Sequence, residues 1–231
     1  MYKNQEKKPD IGVILLAAGS STRMDGNDKI FMPIYSKPLL YYSLKEFNDS
    51  PHISSITVVF SETNHAYGMT YIESLNLKKV KSTCIGGPRR QDSVLNGLHA
   101  LGKQDFVLIH DAARPCINQC VISRGVESVI QFDASIPVIP STDTLRTLSD
   151  ENFADKIVDR ETIWITQTPQ CFSYELILKA LTATIDSVTD DAMLVQKLGV
   201  KIKTFKGSKS NIKVTTNDDI AMVKSIIKGK K

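Results

Sequence analysis

Arg23 and Lys29 stand six residues apart behind a run of small residues, Ala17-Ala18-Gly19-Ser20-Ser21. Small side chains let a ligand lie against backbone N–H groups, and such groups beside two cations suit a polyphosphate. The run follows Ile11 to Leu16, an apolar stretch without polar alternation. That pattern predicts a strand buried on both faces, as in a parallel sheet. Neither G-x-x-x-x-G-K-[ST] nor G-x-G-x-x-G is present, so the loop is neither a P-loop nor a dinucleotide fingerprint. Alone, it fits a tight strand-to-helix turn with solvated cations as well as it fits a nucleotide site.

Beyond this loop, strand and helix patterns alternate along the chain. Strands are expected at Ile56 to Phe60, Val80 to Ile85, Phe106 to His110 and Ser135 to Ile139. Helices are expected at Leu39 to Phe47, Asn64 to Leu75, Arg90 to Leu101 and Val121 to Phe132. The alternation predicts an α/β fold, a mostly parallel sheet flanked by helices, with ligands at the carboxyl ends of strands. The unusual residues fall after strands: Gly86-Gly87-Pro88, Asp111-Ala112-Ala113-Arg114-Pro115 and Ser141-Thr142-Asp143-Thr144. All three would share an edge with the opening loop, which favours a functional site there.

From about Asp143 to Thr168 the rhythm changes. Short β-prone pieces (Thr144 to Leu148, Lys156 to Val158, Ile163 to Thr166) surround the polar turn Ser149-Asp150-Glu151-Asn152. They predict a β-hairpin arm with little core of its own, suited to pairing with a second subunit. Helices follow at Tyr174 to Ala183, Asp190 to Leu198 and Asp218 to Ile227, with a strand around Val200 to Phe205. Trp164 and the pair Tyr41–Tyr42 read as packing residues.

Composition sets outer bounds. A chain of 231 residues without a linker is expected to be a single domain, 1–231, with a sizeable core. The net charge is +4, but the first eight residues contribute +2 and the last four +3, leaving the body at −1. No basic stripe with interleaved aromatics occurs, so no polynucleotide partner is expected. No stretch approaches a membrane span and the N-terminus lacks an apolar signal region, so a cytoplasmic protein without a membrane partner is expected. Cys84, Cys116, Cys120 and Cys171 form no C-x-x-C and share no metal spacing with the histidines; reduced thiols are expected.

The blocks AAGSSTRM, GGPRRQDSV, HDAARP, DTLR, VDR, TQTPQCF, TDD and NIKVT occur in one order from Ile11 to Ile227. In content and order they resemble the 2-C-methyl-D-erythritol 4-phosphate cytidylyltransferases. The resemblance implies a Rossmann-like subunit of the nucleotide-diphospho-sugar transferase type, dimerised through a β-arm at about 143–168. It implies transfer of a cytidylyl group from CTP to 2-C-methyl-D-erythritol 4-phosphate, with release of pyrophosphate, in non-mevalonate isoprenoid synthesis. Arg23 and Lys29 would then stabilise the pentacoordinate transition state. Ala17, Ala18 and Gly19 would support the triphosphate, and Gly86, Gly87 and Ser93 would read cytosine. Asp111 would lie near the ribose. The phosphorylated polyol would meet Arg114, Thr144, Arg160, Thr168, Thr189 and Lys213, with Arg160 reaching the partner subunit's site. Mg²⁺ would ride mainly on CTP phosphates, with no protein metal cage and Asp111 at most a water-mediated contact. Asp190 and Asp191 read as a helix N-terminus rather than an acid–base pair.

Three departures from the family pattern stand out. The Arg23–Lys29 spacing is one residue shorter, Asp28-Lys29-Ile30 replaces the common Pro-Lys-Gln, and Pro88 offers no N–H to a base. Ribitol 5-phosphate cytidylyltransferases share similar loops and arm, though GGPRRQDSV and HDAARP favour the methylerythritol enzyme. A guanylyl- or uridylyltransferase is a more distant rival. A non-catalytic nucleotide-binding protein would have no need of both Arg23 and Lys29.

Overall fold

The computed structural model describes residues 8–19, 29–183 and 186–229. The first strand, β1 (Ile11–Ala17), is buried along nearly its whole length. Ile11, Val13, Leu15 and Ala17 enter one hydrophobic cluster, while Ile14 enters another on the opposite face. Period-two alternation therefore sends apolar side chains both ways, as the unbroken apolar run requires.

A short hairpin, β2 (Pro33–Ile34) with β3 (Lys37–Pro38), leads into α1 (Leu39–Asp49). Then come β4 (Ser55–Phe60), α2 (His65–Leu75), β5 (Val80–Ile85), α3 (Arg90–Leu101), β6 (Phe106–Asp111), α4 (Gln119–Phe132) and β7 (Ala134–Pro140). These elements match the expected alternation to within a few residues at their ends. The Asn118 side chain caps α4 by accepting from the Val121 N–H at 3.0 Å.

The second half departs from that rhythm. β8 (Leu145–Leu148) and β9 (Ala154–Val158) pair antiparallel with each other as a separate two-stranded sheet. β10 (Trp164–Thr166), expected as part of the arm, instead returns to the main sheet and pairs antiparallel with β7. Trp164 is about half exposed there, 53%, and is not the packing residue its size suggests. β11 (Gln170–Ser173) then inserts antiparallel between β6 and β7. α5 (Tyr174–Ala183), α6 (Asp191–Lys197), β12 (Lys203–Lys206) and α7 (Asn217–Gly229) complete the described chain. The main sheet runs β10-β7-β11-β6-β1-β4-β5, with β12 parallel to β7.

Register places the loops. Leu16 pairs with Asp111, Ala17 with Phe60, and Phe60 with Ile85, so four parallel strands end on one line. β11 runs the other way and starts beside Ile109, so the residues before it arrive at the same edge. The chain leaving β12 arrives there too, because that strand is parallel to β7. No helix among the described residues is long and apolar enough to cross a membrane.

Candidate active site

The carboxyl edge of the sheet carries two adjoining cavities. The first, about 340 Å³, is lined on one side by Ala17, Ala18, Gly19 and Lys29 and on the other by Gly87, Pro88 and Ser93. Lys29 opens a short 3-10 turn, Lys29–Phe31. Arg23 lies outside the described residues.

Gly86 stands behind this cavity rather than in its wall. A Cβ there would fall 2.6 Å from Ser93 Oγ and 2.7 Å from Ala18 Cβ, so only glycine lets the exits of β1 and β5 meet α3 this closely. The Gly87 N–H donates to Ser93 Oγ at 3.1 Å, which ties the turn to the helix. Beside Pro88, the Arg89 guanidinium pairs with Asp92, and the Arg89 backbone N–H donates to the same carboxylate at 3.0 Å. The helix start is thereby secured within GGPRRQD itself.

The second cavity is a recess of about 160 Å³ reached by Arg114, Thr168, Gln170, Thr189 and Asp190. Arg90, Asp111 and Lys213 line both cavities and form the wall between them. Asp111 is the last residue of β6 and is 8% exposed. Lys213 Nζ lies 2.7 Å from its Oδ2, Arg90 Nη2 3.5 Å from its Oδ1, and Arg114 Nε 4.0 Å from its Oδ2. Burial alone would raise the Asp111 pKa, but the Arg90 and Lys213 charges outweigh it and hold the carboxyl below its usual range.

Behind Asp111 a buried polar chain fixes the wall. His110 Nε2 lies 3.1 Å from the Arg114 carbonyl, which can only accept, so Nε2 carries the proton. Burial lowers the His110 pKa to about 4, so the ring is neutral at pH 7 and Nδ1 is an acceptor. The Thr168 hydroxyl, 3.0 Å away, donates to Nδ1 and accepts from the Asp111 N–H at 3.2 Å. Its single proton is thus committed inward, and toward the recess Thr168 can only accept.

The segment leading to Lys213 is set by a similar device. The Gln167 side chain donates to the Ser208 carbonyl at 2.9 Å and accepts from the Ser208 N–H at 3.1 Å. Asn211 Nδ2 donates to the Thr168 carbonyl at 2.8 Å, and Arg114 Nη1 donates to the Asn211 carbonyl at 2.9 Å. On the far side, Asp190 caps α6 by accepting from the Met193 N–H at 3.0 Å, and its other oxygen accepts from Gln170 at 2.9 Å. Thr144 and Arg160 line neither cavity; both are exposed, and Arg160 Nη1 donates to the Thr142 carbonyl at 3.3 Å. Among the described residues no three His, Cys, Asp or Glu side chains gather as a metal cage.

Two abutting cavities on a basic-lined sheet edge suit the alignment of two anionic substrates. A family model, 2-C-methyl-D-erythritol 4-phosphate cytidylyltransferase, matches residues 11–229. The chain belongs to this family. A relative of that name from Dehalococcoides mccartyi is 39% identical over 228 residues, covering 99% of each chain. One from Clostridium novyi is 38% identical over 220 residues, covering 93% of this chain and 95% of its own. Among solved structures, the 4-diphosphocytidyl-2C-methyl-D-erythritol synthase of Anaerococcus prevotii superposes with a TM-score of 0.83 at 26% identity, covering 96% of this chain and 97% of its own. The 2-C-methyl-D-erythritol 4-phosphate cytidylyltransferase of Thermus thermophilus gives 0.78 at 27% identity, over 93% of this chain and 98% of that one.

For this member of the family, sequence reasoning missed Arg90, His110, Gln167, Gln170 and Asn211. Arg90 hid as the first residue of an ordinary helix pattern, and His110 as the end of an apolar strand. Gln167 and Asn211 lie within or beside the TQTPQCF and NIKVT blocks, so their polarity in otherwise buried segments was the available signal.

Proposed function

We infer that the chain transfers the cytidylyl group of CTP to 2-C-methyl-D-erythritol 4-phosphate and releases pyrophosphate, the activity its family is named for. The observation that carries the site assignment is the shared wall of Arg90, Asp111 and Lys213 between two cavities of unequal size. CTP takes the larger cavity, its triphosphate along Ala17, Ala18 and Gly19 and its base toward Gly87 and Ser93, with Gly86 giving the close approach. The acceptor takes the recess, its phosphate facing Lys213 and Arg114, its hydroxyls facing Thr168 and Thr189.

The acceptor phosphate is ionised at neutral pH and attacks the α-phosphorus of CTP, while the bond to pyrophosphate breaks in line. No general base is needed; the work is alignment and stabilisation of crowded negative charge. Lys29, and Arg23 from the same loop, stabilise that charge, each worth on the order of several kcal/mol in the transition state. Mg²⁺ bound to the triphosphate would neutralise part of the charge, and Asp111, already facing three cations, is suited at most to a water-mediated contact with it.

Thr144 and Arg160 act on the partner subunit's acceptor in a homodimer. Support for this reading comes from the arm's surface: Leu148, Phe153 and Ile157 are all more than 60% exposed, with Trp164 and Ile165 about half exposed nearby in sequence. A cytoplasmic location suits a chain whose cysteines form no C-x-x-C pair.

The deciding assay is pyrophosphate release from CTP and Mg²⁺ with each acceptor offered separately. The expected result is the higher specificity constant with 2-C-methyl-D-erythritol 4-phosphate. A higher value with ribitol 5-phosphate would reassign the acceptor, and no turnover with either would leave a nucleotide-binding protein.

A further inference from the structure

Arg90 is the first residue of α3, where a cation stands against the helix dipole, so the helix itself gives no reason for it. Its guanidinium is shared. Nη1 lies 2.7 Å from Asp191 Oδ2 and Nη2 lies 3.5 Å from Asp111 Oδ1. Asp191 is fully buried at the start of α6, and among the described residues Arg90 is the cation paired with it, so Arg90 offsets its charge. The two oxygens of Asp111 meanwhile face different cations: Oδ1 faces Arg90, and Oδ2 faces Lys213 with Arg114 farther off.

That division has a consequence for the recess. Lys213 and Arg114 are the cations that face an acceptor phosphate. With Arg90 on Oδ1, Asp111 is held in one orientation and part of its charge is already matched. Without Arg90, the carboxylate is free to rotate and take Lys213 and Arg114 fully, withdrawing both from an incoming anion. We infer that Arg90 is a positioning residue for acceptor binding, acting through Asp111 to keep Lys213 and Arg114 available, with Asp191 as the counter-charge that lets it be buried. This rests on the cytidylyl-transfer reading above. It bears on the acceptor more than on CTP: Arg90, Asp111 and Lys213 line both cavities, but Arg114, one of the two cations kept available, lines the recess alone.

A purely structural role, pinning α3 to α6, is the competing account, and paired substitutions separate the two. Removing Arg90 alone leaves Asp191 buried without a counter-charge and destabilises the fold, whereas removing both charges together is far better tolerated. The test therefore compares Arg90→Gln, Arg90→Lys and the double variant Arg90→Met/Asp191→Leu in melting temperature and in KM for each substrate. The expected result is a double variant that melts close to the wild type, with the acceptor KM raised about tenfold or more and the CTP KM changed less than about threefold. Arg90→Lys, with one compact charge, should pair with the nearer Asp191 and recover melting temperature without recovering the acceptor KM.

Equal rises in both KM values would overturn the inference, as would recovery of acceptor KM together with stability in the double variant or in Arg90→Lys. Should the double variant fail to fold, Arg90→Lys decides alone. A wild type without turnover would overturn the functional reading and this inference with it, whereas an active wild type with acceptor-insensitive variants overturns the inference alone.

Discussion

The Thr168 hydroxyl donates to His110 Nδ1 across 3.0 Å, joining a residue just before β11 to one near the end of β6. The bond exists only while the imidazole is neutral. Burial lowers the His110 pKa from 6.5 to about 4. Between those values the unfolded chain binds more protons than the folded one, so stability rises with pH across that window. The contribution is complete above about pH 6.5 and is lost as pH falls toward 4, by about 3 kcal/mol. Urea unfolding at a series of pH values should show this slope in the wild type and a flatter one in His110→Asn. Identical slopes would remove His110 from the account.

Lys29 and Arg23 are assigned to the transition state rather than to ground-state binding. Lys29→Met and Arg23→Ala should each lower kcat by about 10²–10³-fold, with the dissociation constant for CTP changed far less. Equilibrium binding beside steady-state kinetics makes the distinction. Parallel losses in affinity and turnover would reduce both residues to ordinary phosphate contacts.

Gly86→Ala puts a methyl where Ser93 Oγ and Ala18 Cβ already are. The junction must open, at a cost of about 1–3 kcal/mol. Because Ala18 and Ser93 line the nucleotide cavity, the KM for CTP should rise while that for the acceptor holds. A variant that melts lower yet binds CTP normally would make the contact merely structural.

Arg160 is assigned to the partner's site and Lys29 to its own. Mixing inactive Arg160→Ala with inactive Lys29→Met should therefore recover activity, since a mixed dimer keeps one site with both residues intact. Heterodimers demonstrated by native mass spectrometry that remain inactive would count against the shared site.

The sheet edge assigned to the nucleotide was legible because its parts follow one another: strand, small-residue loop, helix. Each unit carries its own periodicity, so Ala17 to Gly19, Gly86-Gly87 and Asp111 could be assigned to one edge from local pattern alone. The recess was not legible in that way. β11 is four residues long, QCFS, and its place between β6 and β7 depends on pairings with segments far away in the chain. The inward commitment of the Thr168 proton depends on that insertion, and so does the meeting of Gln167 with the Ser208–Asn211 loop. Nor does residue type show that Arg90 would serve two carboxylates; only the fold brings Asp191 to it.

The same insertion bears on synthesis. β1, β4, β5 and β6 lie side by side and are complete by Asp111, so the nucleotide half of the sheet can assemble early in translation. The open side of β6 is covered only when β11 arrives, and Asp111 has no Lys213 until the chain beyond β12 has emerged. For that interval the nascent chain carries an apolar strand with an exposed edge, a template for pairing with another chain. A ribosome stalled between Asp111 and Gln170 would therefore present a nucleotide cradle without an acceptor wall, joined to an aggregation-prone edge.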